Sequence, residues 1–277
     1  MSELGYGWAV VLGVVQGLTE FLPVSSSAHL AIFQRWCGLD PESLPMHVFD
    51  GLVHIGTTVA VFIVFATPLR RYVHRLLAEL SLSWTGKRYA LRILLLGVVA
   101  TIPTGLIGVG FKQTFERAFG DPAGIRVGLL ITGVLLAFTA RIARGSRRWK
   151  DFAWWQAALV GTAQGIAIWP GVSRSGSTIC TATFIGLRRR WAAEFSFFIA
   201  VPAILGATAL KLREAWEMSG RNAGAIAWGP SLAGSIVSLA VGVLSLRLLL
   251  GAVRRAKLHY FAAYVWLVGG MLLLGWM

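Results

Sequence analysis

The sequence is poor in charge, and poorest in negative charge: 26 Lys and Arg and 12 Asp and Glu in 277 residues make 14% of the chain charged, against about 25% in soluble globular domains. That scarcity excludes an ordinary soluble enzyme, and a hydrophobic content of 56% excludes a disordered chain. Cysteine is nearly absent as well. Cys37 and Cys180 lie far apart inside apolar segments, with no CxxC or Cys/His spacing. Neither a disulfide framework nor a zinc site follows from them, and both read as packing residues. No GxxxxGK[ST] string occurs, which removes the nucleotide P-loop. The opening Met1-Ser2-Glu3 has no basic n-region and no small-residue cleavage site after it, so the first apolar stretch is expected to stay in the mature protein.

What the chain has instead is apolar length. Mean hydropathy is +0.68, with 32 glycines spread through long apolar stretches. These stretches run to about 17 to 22 residues without the period-2 alternation of a barrel strand, the pattern of a bundle of transmembrane helices. The net charge of +14 would point to nucleic acid in another composition. Here no nucleic-acid partner is expected, and the excess marks cytoplasmic loops.

Apolar segments fall near 5–22, 24–38, 48–66, 89–110, 124–143, 154–170, 176–187, 195–211, 228–250 and 258–277, two groups of five. Shifting the chain by 148 residues aligns Gly13 with Gly161, Gln16 with Gln164, Gly17 with Gly165, Val24 with Val172, Ser25 with Ser173 and Ser27 with Ser175. Matches on both sides of a Pro-containing break indicate a structural repeat. The expected organisation is one membrane domain over 1–277, with repeat one at about 5–143 and repeat two at about 154–277.

In each half a polar, Ser-rich break joins two short segments, and such backbone cannot face lipid. Each pair is expected to form a re-entrant helical hairpin. Three crossings per half then follow, and an odd number turns the second half upside down. The fold expected is therefore all-α, with six transmembrane helices and two re-entrant hairpins in an inverted-topology repeat. With the N-terminus outside, eighteen Lys and Arg, among them Arg70, Arg75, Arg144, Arg148, Arg190 and Arg255, fall on one side. Only Lys112, Arg117, Lys211, Arg213 and Arg221 fall on the other, while Arg35, Arg126 and Arg174 lie within segments. The richer side is cytoplasmic, so both termini are expected to be extracytoplasmic. Of the twelve tryptophans, Trp154, Trp155, Trp191, Trp228 and Trp276 sit near segment ends, as an interfacial belt would.

Charge inside a bilayer costs at least about 2.5 to 3.5 kcal/mol per side chain on insertion scales, which singles out Glu20 and Arg174. Hairpins entering from opposite faces bring their tips together near the midplane. The plainer alternative is an ion pair that holds the hairpins to each other. Around Arg174 the break reads as an anion site: Gly171 and Gly176 allow close backbone approach, and Ser173, Ser175, Ser177 and Thr178 offer hydroxyls. A helix N-terminus and the arginine fork complete it. The first break supplies Glu20 as cation ligand or acid/base, a hydroxyl from Ser25, Ser26 or Ser27, and His29, which shares a helix face with Ser26 at i,i+3. Asp50 and His54, at i,i+4, are further candidates for metal ligation or a proton path, with helix capping as the alternative for Asp50.

The strings Gln16-Gly17-Leu18-Thr19-Glu20-Phe21-Leu22-Pro23-Val24-Ser25-Ser26-Ser27-Ala28-His29 and Pro170 to Thr178 closely resemble the two signature motifs of bacterial undecaprenyl-diphosphate phosphatases, the bacitracin-resistance family. The resemblance extends through Phe49-Asp50 with His54 to Thr57, and through Glu194 to Phe197 with Val201-Pro202. It implies a multi-pass plasma-membrane enzyme that hydrolyses a polyprenyl diphosphate lipid for peptidoglycan synthesis, with its site towards the extracytoplasmic side. It also implies a divalent cation, Mg2+ or Ca2+. Carried over by position, function falls on Glu20, Ser26, His29, Ser173, Arg174 and Thr178. The acidic motif accepts Glu or Gln at its first position, and here it is Gln16. A two-carboxylate metal site therefore cannot come from this motif alone, and Gln16 and Asp50 join Glu20 as candidate ligands. The mechanism expected is attack by Ser26, activated by His29, on the terminal phosphorus; direct attack by water fits the same residues. The rival function is a transporter or flippase for a polyprenyl phosphate, since inverted repeats with broken helices are also transporter architecture. A homodimer is a candidate assembly that the sequence leaves open.

Overall fold

The computed structural model describes residues 4–81, 85–141, 145–219 and 226–274; Met1-Ser2-Glu3, Arg144, Arg221 and Trp276 lie outside them. The described residues form helices and no strand. In chain order these are α1 (Tyr6–Thr19), α2 (Ser26–Trp36), α3 (Leu44–Val64), α4 (Ala66–Leu80), α5 (Tyr89–Gly110), α6 (Lys112–Gly120), α7 (Pro122–Phe138), α8 (Trp154–Ile166), α9 (Arg174–Phe184), α10 (Arg189–Ser219), α11 (Trp228–Arg254) and α12 (Tyr260–Leu273).

Among the described residues, five helical stretches are long and apolar enough to cross a membrane: Leu44–Val64, Tyr89–Gly110, Pro122–Arg141, Arg189–Glu217 and Trp228–Arg254. The chain is a multi-pass helical membrane protein. The sixth expected crossing, 258–277, is represented by the 14 described residues of α12, about 21 Å at 1.5 Å per residue and short of a bilayer core of about 30 Å. Two further helices were hidden from a search for apolar runs because they are amphipathic: α4, which carries Arg70, Arg71 and Arg75, and α6. The carboxylate of Glu79 at the end of α4 is fully buried, accepting from Arg75 Nε at 2.9 Å and from the Leu91 amide at 2.9 Å. It thereby caps the start of α5, satisfying one of that helix's open N–H groups.

Packing is reciprocal between the halves: α1 lies along α11, α8 lies along α5, α3 meets both α11 and α10, and α7 meets α12. The contacts repeat in detail. A methyl group on Gly13 would strike the Gly234 carbonyl, and one on Gly161 would strike the Ala100 carbonyl. Glycine at these two aligned positions is what lets α1 and α8 approach their partner helices so closely. The main core takes Phe21, Leu96, Leu129, Phe152, Phe195, Phe197 and Leu246 from both halves. Cys180 belongs to that core and Cys37 packs beside a smaller cluster, both in packing roles and neither in a disulfide.

Basic residues gather at one end of the bundle. Phe65, Arg190 and Arg254 line one shallow depression, Arg92 Nη2 donates to the Phe152 carbonyl at 2.9 Å, and the Arg147 amide donates to Gly186 at 3.0 Å. At the other end Lys112 pairs with Glu214 and Arg35 donates to the Phe119 carbonyl. Trp36, Trp154, Trp155, Trp216 and Trp228 are exposed near helix ends, where amphipathic rings meet the headgroup layer.

Candidate active site

The chain leaves α1 at Glu20, whose amide still donates to Gln16 O at 2.9 Å, and turns through Pro23 to re-enter helix at Ser26. The corresponding turn of the second half runs from Ala167 to Ser173 and opens α9 at Arg174. Gly171 holds φ +89, and a side chain there would strike the Ile125 carbonyl. Its own carbonyl accepts from Thr132 Oγ1 at 2.8 Å, and the Thr132 oxygen accepts from the Ser173 amide at 2.8 Å. One threonine of α7 thus fixes both sides of the break.

The two turns meet. Arg174 Nη2 donates to Glu20 Oε1 at 2.5 Å, Ser175 Oγ lies 3.5 Å from the Leu22 carbonyl, and Pro23 lies against Gly176. Glu20 is a point of convergence, since Ser26 Oγ donates to its Oε2 at 2.7 Å and Gln16 Nε2 donates to the same oxygen at 3.0 Å. His54 Nε2 stands 3.7 Å from that oxygen, and His54 Nδ1 donates to the Asp50 carbonyl at 2.7 Å. The carboxylate is buried with three donors on it. Two polar atoms beside it are buried and unpartnered: Arg174 Nη1 and Gln16 Oε1. A buried polar atom without a protein partner calls for an explanation. Here one offers a donor, suited to a phosphate oxygen, and the other an acceptor, suited to a hard cation.

The expected residues divide into those that reach this point and those that do not. Glu20, Ser26, Arg174 and Gln16 converge; Ser25 and Ser27 share a contact of 3.3 Å between their hydroxyls beside it. Ser173 Oγ is taken up by the cap of α9, accepting from the Gly176 amide at 3.1 Å, and stands 3.3 Å from Ser175 Oγ. Ser177 is buried. Thr178 turns into α10, with its hydroxyl 2.5 Å from Ser196 Oγ. His29 does not pair with Ser26: its Nδ1 lies 2.7 Å from the Ser25 carbonyl and its Nε2 lies 2.9 Å from Tyr264 Oη. Its ring nitrogens are both engaged, and Ser26 finds Glu20 instead. Asp50, too, is held apart from the Glu20 carboxylate, accepting from Gln34 at 2.8 Å and Lys211 at 3.0 Å. It reaches Glu20 only at second hand, through its backbone carbonyl and His54. Thr132, Ser196, Lys211 and Tyr264 also hold residues of the site, and sequence reasoning gave none of them a site role, because their partners lie on other helices and no local spacing announces such a contact.

Crossing-length apolar helices around a buried carboxylate, hydroxyl and guanidinium, brought together by two helix breaks, define a polytopic membrane protein with an internal polar cluster. The chain belongs to the bacitracin resistance protein BacA family, whose model matches residues 9–271. Among its relatives, an undecaprenyl-diphosphatase of Halorhodospira halophila is 40% identical over 280 residues, covering 97% of this chain and 96% of the relative. One of Syntrophotalea carbinolica is 44% identical over 264 residues, covering 95% and 96%. One of Alkaliphilus metalliredigens is 39% identical over 271 residues, covering 96% and 97%.

Proposed function

We propose that the chain hydrolyses undecaprenyl diphosphate to undecaprenyl phosphate and inorganic phosphate, recycling the lipid carrier of peptidoglycan synthesis at the bacterial plasma membrane. The observation that carries this reading is the Ser26–Glu20–Arg174 arrangement, a hydroxyl on a carboxylate beside a half-free guanidinium. It stands in a family whose relatives are named undecaprenyl-diphosphatase. The Arg174 fork binds the diphosphate through Nη1. Ser26 Oγ forms a bond to the terminal phosphorus as the bond to the bridging oxygen breaks, and Glu20 Oε2 takes the serine proton. The lipid monophosphate leaves, and water then cleaves the serine phosphate to release inorganic phosphate. Attack by water held on Glu20 uses the same groups.

Glu20 and the Gln16 carboxamide oxygen fit a divalent cation, Mg2+ or Ca2+; no cluster of three or more His, Cys, Asp or Glu that could hold one occurs among the described residues. Magnesium is commonly held by one or two carboxylates with substrate phosphates and water, so a sparse protein ligand set suits it. When bound, the cation supplies positive charge against the phosphate oxygens. Purified protein given a long-chain polyprenyl diphosphate is expected to release inorganic phosphate, to stop in chelator and to resume with Mg2+ or Ca2+. Absence of phosphate release would refute the activity, and indifference to chelator would refute the cation.

The finer architecture belongs to the same reading: six crossings, two re-entrant hairpins and an inverted repeat, with both termini and the mouth of the site extracytoplasmic. Reciprocal packing of α1 on α11 and α8 on α5 supports the repeat, and the gathering of arginines at one end of the bundle supports the orientation. In a background lacking Cys37 and Cys180, single cysteines at Arg148 and Arg255 are expected to react only from the cytoplasm, and one at Glu42 only from outside. Labelling of 42 and 148 from the same side would overturn the inverted arrangement.

A further inference from the structure

The start of α2 is held in an unusual way. Ser25 has φ 70 and ψ 98, and among the described residues only Ser25 and Ala256 have positive φ without being glycine. Strain of this kind persists only where surrounding contacts over-determine it, and it clusters at functional sites. The Ser25 carbonyl stands 2.7 Å from His29 Nδ1 and also accepts from the His29 amide at 3.3 Å, and the Ser25 hydroxyl lies 3.3 Å from Ser27 Oγ. A carbonyl can only accept, so Nδ1 carries a hydrogen, and the neutral ring presents a lone pair at Nε2. Tyr264 Oη lies 2.9 Å from that nitrogen and is therefore the donor. The two rings also stack, with centroids 5.7 Å apart and planes 12° from parallel. The next residue after the strained one is Ser26, whose hydroxyl meets Glu20 at 2.7 Å.

We infer that Tyr264 is a positioning residue for the reaction: through the His29 imidazole it holds the Ser25 carbonyl, and so keeps the Ser26 hydroxyl on Glu20. The inference rests on the phosphatase reading of the site. It gives α12, which supplies none of the groups on Glu20, a role in chemistry performed by the two turns. It also makes His29 a brace for the turn, in place of a base for Ser26. The clasp runs in one direction, from the phenol hydroxyl to Nε2, and from Nδ1–H to the strained carbonyl. Such chains are worth more together than their separate links.

Tyr264→Phe keeps the ring for stacking and removes only the donor. Because misplacing a reacting group by ~1 Å costs on the order of a hundredfold, kcat for phosphate release is expected to fall at least about tenfold, with KM within about twofold of wild type. His29→Asn retains a donor close to the Ser25 carbonyl but has nothing at the Nε2 position, so it is expected to keep measurable turnover. In that background Tyr264→Phe should cost nothing further, since the phenol acts only through the imidazole. Folded yield and thermal unfolding in detergent are expected to match wild type for Tyr264→Phe. Wild-type turnover in Tyr264→Phe, an equal loss in the His29→Asn background, complete inactivity of His29→Asn, or failure of Tyr264→Phe to fold would each overturn the inference. Absence of phosphate release by the wild-type protein would instead overturn the phosphatase reading.

Discussion

Arg174→Lys is expected to lower kcat by at least about tenfold, equivalent to about 1.4 kcal/mol of barrier, and Arg174→Ala to nearly abolish turnover. The guanidinium works with two arms: Nη2 is on Glu20 Oε1, and Nη1 is buried without a partner. One planar fork can hold the carboxylate and a phosphate oxygen together, whereas an ammonium is a point charge without that fixed geometry. In a site shielded from water the arginine gains most as charge shifts during phosphoryl transfer, so the effect should fall on kcat more than on KM. Both variants should still fold, because Glu20 keeps the Ser26 and Gln16 donors when Arg174 is gone. The check is kcat and KM from phosphate release, alongside folded yield. Normal turnover in Arg174→Lys, or failure of both variants to accumulate folded, would make the Glu20–Arg174 contact a structural tie.

That contact was legible in the sequence because charge in an apolar segment is costly and so conspicuous. Two such charges of opposite sign, each beside a break between apolar helices, leave few arrangements other than meeting. The alignment of Gly13 with Gly161 was legible for a related reason: each glycine admits the backbone of a neighbouring helix, at Gly234 and Ala100. What the sequence hid is direction. The i,i+3 spacing of Ser26 and His29 places them on one helix face, but His29 also sits four residues from Ser25, at the start of the helix where that carbonyl is within reach. The ring turns back to it, and Tyr264 of α12 then holds it there. No local pattern records a partner that distant.

Asp50 shows the same limit. Its i,i+4 relation to His54 is real and appears as a bond to its carbonyl, while Gln34 and Lys211 take its carboxylate from helices that only the tertiary fold brings near. Thr178 faces α10 and not the Glu20–Arg174 contact because successive hydroxyls on a helix must point different ways, and Ser196 receives this one. α4 escaped notice because its apolar residues alternate with arginines, leaving no uninterrupted run.

Glu20→Gln is expected to remove activity while tightening the hold on anions, a pair of effects that only the convergence on this carboxylate explains. All three close neighbours donate to it: Arg174, Ser26 and Gln16. A carboxamide can keep its oxygen on Arg174 and turn its NH2 towards Ser26, whose hydroxyl can accept, and towards Gln16, whose unpartnered Oε1 can accept once that amide turns over. The fold therefore tolerates the change. Ser26 does not remain a nucleophile, because its proton has lost its acceptor, and kcat should fall on the order of 10²- to 10⁴-fold, the usual worth of a general base. The cation concentration for half-activation should rise, since the negative ligand is gone. The Glu20 carboxylate also repels the diphosphate held on the other arm of Arg174, so binding of inorganic diphosphate measured in chelator should become tighter than in wild type. Turnover within about threefold of wild type would remove Glu20 from the chemistry. An unchanged cation requirement, with only the pH profile altered, would make it a proton carrier and not a ligand. Weaker diphosphate binding in chelator would mean that Glu20 chiefly orients the arginine for the substrate, and that this outweighs its repulsion of the anion.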